Sequence, residues 1–119
     1  MDPTRTDAGF VAIVTFPTDG PETARKLVEL ATGGVQEWIR HVPGFLSANY
    51  HISADGTSVV NYAQWRTERD YRESFTNNPR SAEVRAALSA LPGLTGPPRS
   101  VSCTLAASIL PASADGTSA

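Results

Sequence analysis

The residues with the most capacity for chemistry fall in one stretch, Val59 to Phe75, which reads VVNYAQWRTERDYRESF. A carboxamide offers a neutral donor and acceptor, an indole carries one N–H on a flat apolar plate, and a phenol can give up a proton. Asn61 and Trp65 stand four apart, so on a strand they share a face with Val59 and Ala63. Tyr71 and Phe75 also stand four apart and share one face of a following helix. The segment therefore aims an amide, an indole and a phenol into the space between a sheet and a helix. Spacing alone supports a pocket and nothing more specific. Taken singly, Asn61 also reads as a strand amide bonded to nearby backbone, and Trp65 and Tyr71 as ordinary core.

The pattern around this stretch gives the elements that would hold it. Phe10 to Phe16, FVAIVTF, is apolar on both sides, which predicts a central strand ended by Pro17. Asp19-Gly20-Pro21-Glu22 starts a helix, with Asp19 as the capping carboxylate and Pro early in the first turn. Leu27, Ala31, Val35, Trp38 and Val42 form its apolar stripe. Gly33 and Gly34 interrupt it, either as a kink or close helix–sheet contact or as room for a flat ligand. That helix ends before Pro43-Gly44. Phe45 to Ser53 is a second strand, with Leu46, Ala48, Tyr50 and Ile52 on one face and Ser47, Asn49 and His51 on the other. Asp55-Gly56 signals a two-residue hairpin turn, and Thr57 to Arg66 is the antiparallel partner. Thr67-Glu68-Arg69-Asp70 fits a capping box, and its helix stops at Asn77-Asn78-Pro79. Pro79 to Leu91 is a short helix buried through Val84, Leu88 and Leu91. Pro92 to Pro98 is a rigid loop, and Arg99 to Leu110 the last strand.

This order is the split βαβ plan: α+β, ferredoxin-like βαββαβ, with a four-stranded antiparallel sheet and helices on one face. The bare face, with Val60, Tyr62, Gln64 and Arg66 on the third strand, would leave a large patch unpartnered. A homodimer packed sheet on sheet is the expected solution. The folded domain is expected over residues 9–111, between a flexible N-terminus at 1–8 and a disordered tail at 112–119.

A length of 119 residues bounds the chain to one domain. A net charge of -2, with the ten basic residues dispersed, points away from a nucleic-acid partner. The apolar runs are too short for a membrane span, and nothing of signal-peptide type follows MDPTRTD. The single cysteine, Cys103, makes neither an intramolecular disulfide nor a Cys-based metal cluster, and reads as a small buried hydrophobe. The expectation is a cytoplasmic protein without a metal. His41, closing the first helix, and His51, on the outer strand face, are the remaining bases, both weakly placed for catalysis.

Four stretches carry a family resemblance: GFVAIVTFPTDGP, KLVELATGGVQEWIRHVPGFLSANYH, DGTSVVNYAQW and PRSAEVRAAL. In their combined length and order, from Gly9 to Pro111, the chain resembles the antibiotic-biosynthesis monooxygenases, dimeric α+β barrel proteins. Within them it is most similar to the cofactor-free, quinone-forming type of actinorhodin polyketide biosynthesis. The resemblance implies oxidation of a phenolic polycyclic aromatic polyketide to a quinone with O2 as co-substrate, without flavin, haem or metal. It implies catalytic roles for Asn61, Trp65, Tyr71 and Arg85 and a substrate contact for Tyr50; Phe75, on the same helix face as Tyr71, is the further candidate substrate contact. No departure from the family pattern occurs at the positions matched to its motifs.

The residue types suit that chemistry. A deprotonated phenol or anthrone can itself reduce O2, so the protein must favour the anion, keep the ring dry and protonate a peroxide. Asn61 can donate to a phenolate or enolate oxygen. Trp65 gives a wall and a donor. Tyr71 is a candidate proton source, and Arg85 a permanent cation, unless it is a surface residue beside Glu83 or Glu68. Tyr50 could orient the ring. Two rivals stay open. A haem-degrading relative would need an axial His on the second helix, and Tyr71 to Asn78 holds none. A polyketide-binding or cyclase-like module is compatible with the same fold.

Overall fold

The computed structural model describes residues 2–76 and 79–112, and for 34–36 the backbone alone. Its elements are β1 (Phe10–Pro17), α1 (Pro21–Ile39), β2 (Phe45–Ile52), β3 (Ser58–Trp65), α2 (Glu68–Thr76), α3 (Pro79–Ser89) and β4 (Arg99–Cys103). The strands form one antiparallel sheet in the order β2-β3-β1-β4. This is the ferredoxin-like arrangement, with the FVAIVTF strand at the centre. Phe10, Ala12, Val14 and Phe16 pair with Trp65, Ala63, Asn61 and Val59, so all eight face the helices. Two buried clusters form there. One joins Phe16 and Val59 to Ala24, Leu27, Ala31 and Leu88; the other joins Phe10, Ala12, Ala63 and Trp65 to Ile39. Leu27 is fully buried, and truncating such a leucine to alanine costs about 2–5 kcal/mol.

Several local expectations are corrected. The N-cap of α1 is Gly20, and the Asp19 carboxylate instead accepts from Thr23 Oγ1. The helix runs through Gly33 unbroken and a side chain there would meet nothing, so Gly33 marks no close contact, and it does not line the cavity between sheet and helices. Val35 and Asn77-Asn78 lie outside the described side chains and residues. In β2 a bulge falls between Phe45 and Ser47, so Phe45, not Leu46, joins Ala48 and Tyr50 on the helix face. The hairpin loop has four residues, 54–57, because Ser53 N–H still donates to Ser58 O (2.9 Å). Asp55 Oδ1 holds that loop by accepting from Ser53 Oγ, Thr57 N and Thr57 Oγ1, which pulls its pKa to about 2. Gly56, at φ +74°, packs where any side chain would run into Pro21. The last strand ends at Cys103, and Cys103 is half-buried rather than buried.

The capping box stands as read. Asp70 N–H donates to Thr67 Oγ1, and the Thr67 hydroxyl reaches Asp70 Oδ2, both at 3.0 Å. Gly44, at φ +83°, lets the α1–β2 turn press against Asp70. Its carbonyl also accepts from Arg66 N–H at 2.8 Å. These contacts fix the start of α2, and hence Tyr71, against the sheet. No described helix is long and apolar enough to cross a membrane.

Candidate active site

Between the sheet and the helices lies a cavity of about 380 Å3, within the size range of small-molecule sites. All six residues singled out in the sequence line it: Tyr50, Asn61, Trp65, Tyr71, Phe75 and Arg85. The remaining lining is mostly aliphatic and aromatic, with Ala12, Val14, Ile39, Phe45 and Leu88 among it.

Asn61 is half-buried on β3. Its Oδ1 accepts from the backbone N–H of Asn49 on β2 at 3.2 Å. A backbone N–H can only donate, so this contact fixes which end of the carboxamide is oxygen. The Nδ2 has no hydrogen-bond partner among the described residues and is the free donor in the cavity wall. Its oxygen thus serves nearby backbone, and its NH2 is left without a partner among the described residues.

Trp65 is 3 % exposed and sits edge-on to two rings, Phe45 at 5.4 Å and Tyr71 at 5.5 Å. Its Nε1 is buried with no acceptor. Trp38, at the end of α1, also lines the cavity and also has a buried Nε1 without an acceptor. Leaving such a donor unpaired costs about 1–3 kcal/mol, so two of them on one cavity are hard to explain by stability. Neither N–H is open to a water-sized probe. Helical spacing marks Trp38 as part of the apolar stripe; an indole in the last turn of α1, shortly before the strand that supplies Phe45, is the available signal.

The Tyr71 ring is core, packed on Phe10 (5.2 Å), Trp65 and Phe75 (4.7 Å), while its hydroxyl makes no hydrogen bond among the described residues. The Tyr50 hydroxyl is likewise unbonded, and burial pushes its pKa above the ordinary phenol value. Arg85 is exposed at the rim, with its guanidinium carbon 5.0 Å from the Phe75 ring centre. Neither suggested carboxylate claims it among the described residues: Glu68 is bound by Arg72 at 2.7 Å, and Glu83 makes no ion pair with it. Among the described lining residues Arg85 alone is charged. His41 and His51 are exposed and away from the cavity. Among the described residues no three His, Cys, Asp or Glu side chains group as metal ligands would.

No family model matches the sequence. The tetracenomycin-F1 monooxygenase of Streptomyces glaucescens is 52% identical over 52 residues. That match covers 44% of this chain and 46% of the enzyme, so it spans less than half the relative's length. The crystal structure of a monooxygenase from the gene ActVA-Orf6 of Streptomyces coelicolor, in complex with nanaomycin D, superposes with a TM-score of 0.88. It is 65% identical over 93% of this chain and 99% of that one. The structure of Rv0793 from Mycobacterium tuberculosis shares the fold, at a TM-score of 0.66 and 22% identity over 83% of this chain and 97% of that one. At the identity and coverage of the Streptomyces coelicolor structure, this chain belongs to the antibiotic biosynthesis monooxygenases, of the actinorhodin type.

Proposed function

We propose that the protein oxidises a phenolic polycyclic aromatic polyketide, of the anthrone or hydroxynaphthalene type, to the quinone with O2 and no bound cofactor. The observation that carries this reading is the cavity's composition. It is apolar enough to keep a flat ring system dry, offers the unpaired Asn61 NH2 on its wall, and has one cation, Arg85, at its rim. The Streptomyces coelicolor relative, held with nanaomycin D, supports an aromatic ligand of this kind.

The chemistry balances without a further reductant. Loss of a proton from the anthrone leaves an enolate whose charge falls on oxygen and ring carbon. Asn61 Nδ2–H donates to that oxygen, and one preorganised donor of this sort is worth about 3–4 kcal/mol at the transition state. Arg85 adds long-range stabilisation of the anion. The enolate passes one electron to O2, and the radical pair recombines to a C–O bond, giving a peroxide on the ring. Tyr71 delivers a proton to it and is reprotonated by the proton that the anthrone first released to solvent. The ring C–H proton then leaves, the O–O bond breaks, and water departs. One oxygen atom stays as the quinone carbonyl and the other leaves as water, with substrate supplying both hydrogens. Trp65 walls the ring; Tyr50 and Phe75 orient it.

The protein acts in the cytoplasm as a homodimer on this reading, its outer sheet faces packed together. The exposed Val101, Leu105 and Leu110 (56 %, 46 % and 60 %) support a covering partner. Light scattering checks the dimer, and a monomer at micromolar concentration would refute it. For the reaction, chelator-treated protein is mixed with an anthrone under 18O2. One labelled oxygen per quinone, formed above the autoxidation rate, is expected. No quinone above that rate would refute the reading, and product formed equally without O2 would favour a cyclase-like module.

A further inference from the structure

Directly behind the cavity, the outer face of the sheet carries a polar network. Gln64 is 1 % exposed; its Nε2 donates to the Asp2 carbonyl at 2.6 Å and its Oε1 accepts from Ser47 Oγ at 2.8 Å. Ser47 has spent its one proton there, so its oxygen accepts from Asn49 Nδ2, at 3.1 Å. The same Nδ2 donates to the Tyr62 carbonyl at 3.0 Å, which uses both amide protons of Asn49. The direction of every bond is thereby set. The backbone N–H of Asn49 then meets Asn61 Oδ1 on the cavity side. A run of hydrogen bonds crosses the sheet from the N-terminal segment to the amide in the cavity wall.

We infer that Asn49, backed by Ser47 and Gln64, is a positioning residue that selects the orientation of the Asn61 amide. The terminal torsion of an asparagine is broad, and its two flips are chemically opposite. With NH2 toward the cavity, Asn61 donates to a phenolate; with C=O toward it, it repels one. The Asn49 N–H, which donates to Asn61 Oδ1, is compatible only with the first. That N–H belongs to an edge strand, three residues past the bulge at Leu46. The Asn49 carboxamide, clamped to Ser47 and to the Tyr62 carbonyl, ties β2 to β3 at this level. The effect on turnover rests on the oxidation proposed above; the selection of the flip does not.

The test uses the full chain, with Ser47→Ala, Ser47→Thr and Asn49→Ala. In 15N-labelled protein the side-chain NH2 signals of Asn61, assigned by their loss in Asn61→Ala, should broaden or double in Ser47→Ala and return in Ser47→Thr. Signals unchanged in Ser47→Ala overturn the inference, whatever the protein catalyses. With an anthrone, Ser47→Ala and Asn49→Ala should lower kcat about tenfold with KM within twofold, and Ser47→Thr should restore at least half of the loss. A folded Ser47→Ala with wild-type kcat, beside an Asn61→Ala that is inactive, also overturns it. Should Asn49→Ala fail to fold, the Ser47 pair decides. Should wild type make no quinone, the oxidation reading fails, and the amide signals still decide the positioning.

Discussion

Asn61→Asp separates the two jobs of that side chain. The substituted carboxylate keeps an oxygen for the Asn49 N–H, now 3.2 Å from Oδ1, and loses the NH2 donor. Losing one preorganised donor costs about 10²- to 10³-fold in kcat, or roughly 3–4 kcal/mol, and a negative charge beside an enolate adds to the loss. Burial among apolar side chains raises the new carboxyl's pKa above its ordinary value of about 3.9. Below the raised pKa the group is a neutral acid with an O–H to donate. The ratio of variant to wild-type kcat should therefore climb as pH falls through that pKa. Stability follows the same sign. A folded-state pKa raised above the unfolded one gives stability that is full below the unfolded pKa and lost as pH rises through the folded one, so the variant's Tm should fall from acid to neutral pH. Asn61→Ala removes the Oδ1 acceptor from the Asn49 N–H, a loss of about 0.5–1.5 kcal/mol, and should show no recovery in acid. The assay is quinone absorbance with parallel O2 uptake, each pH paired with a melting curve. An Asn61→Asp protein within twofold of wild-type kcat at neutral pH would refute the donor role.

Three further outcomes are expected. Trp65→Phe should remove about 2 kcal/mol of apolar burial together with an orphan donor that costs about 1–3 kcal/mol, leaving ligand-free stability nearly unchanged in urea unfolding while kcat/KM falls about tenfold or more; a loss above about 4 kcal/mol with full activity would show that the N–H serves the fold. Arg85→Gln, at an exposed position, should change stability by less than about 0.5 kcal/mol, raise KM, and do so less at high salt; unchanged KM at low salt would remove Arg85 from the site. Tyr50 is held neutral by burial, so its contribution is full below the ordinary phenol pKa and lost as pH rises through its higher folded value. Tyr50→Phe should flatten stability in that alkaline window and remove one phenol that titrates above the ordinary value from an ultraviolet titration, and an unchanged titration would count against its burial.

The order of elements was legible because period and punctuation agree along most of the chain. Asn61 and Trp65 lie on one face of β3 as the alternation requires, and Thr67 caps α2 as its sequence predicts. The failures have local physical causes. Phe45 and Leu46 are both apolar, so alternation cannot say which faces the helices, and a one-residue bulge decides it. The apolar run after Cys103 looks like strand, but β4 pairs with β1 alone, and Val11, opposite Cys103, is nearly the first residue of that partner. Strand propensity without a ladder partner does not make strand. The Gln64–Asp2 bond joins residues 62 apart, a separation that no periodicity reports.

The departures from ordinary packing also converge. A fold stabilised for its own sake would pair its buried donors and neutralise its charges. Here Trp38 and Trp65 each bury an N–H without an acceptor, Asn61 leaves its NH2 free, and Arg85 lacks a carboxylate, all on one cavity among the described residues. On the opposite face of the sheet, Gln64 of β3 and Ser47 and Asn49 of β2 are hydrogen-bonded to one another. Asn61 Nδ2 and the two indole N–H groups can only donate, Arg85 is a cation, and no carboxylate lines the cavity among the described residues. Such a site stabilises a bound molecule in proportion to the negative charge that molecule develops, which is the demand an enolate makes and a neutral quinone does not. The same asymmetry that draws the reaction forward therefore also weakens the hold on its product.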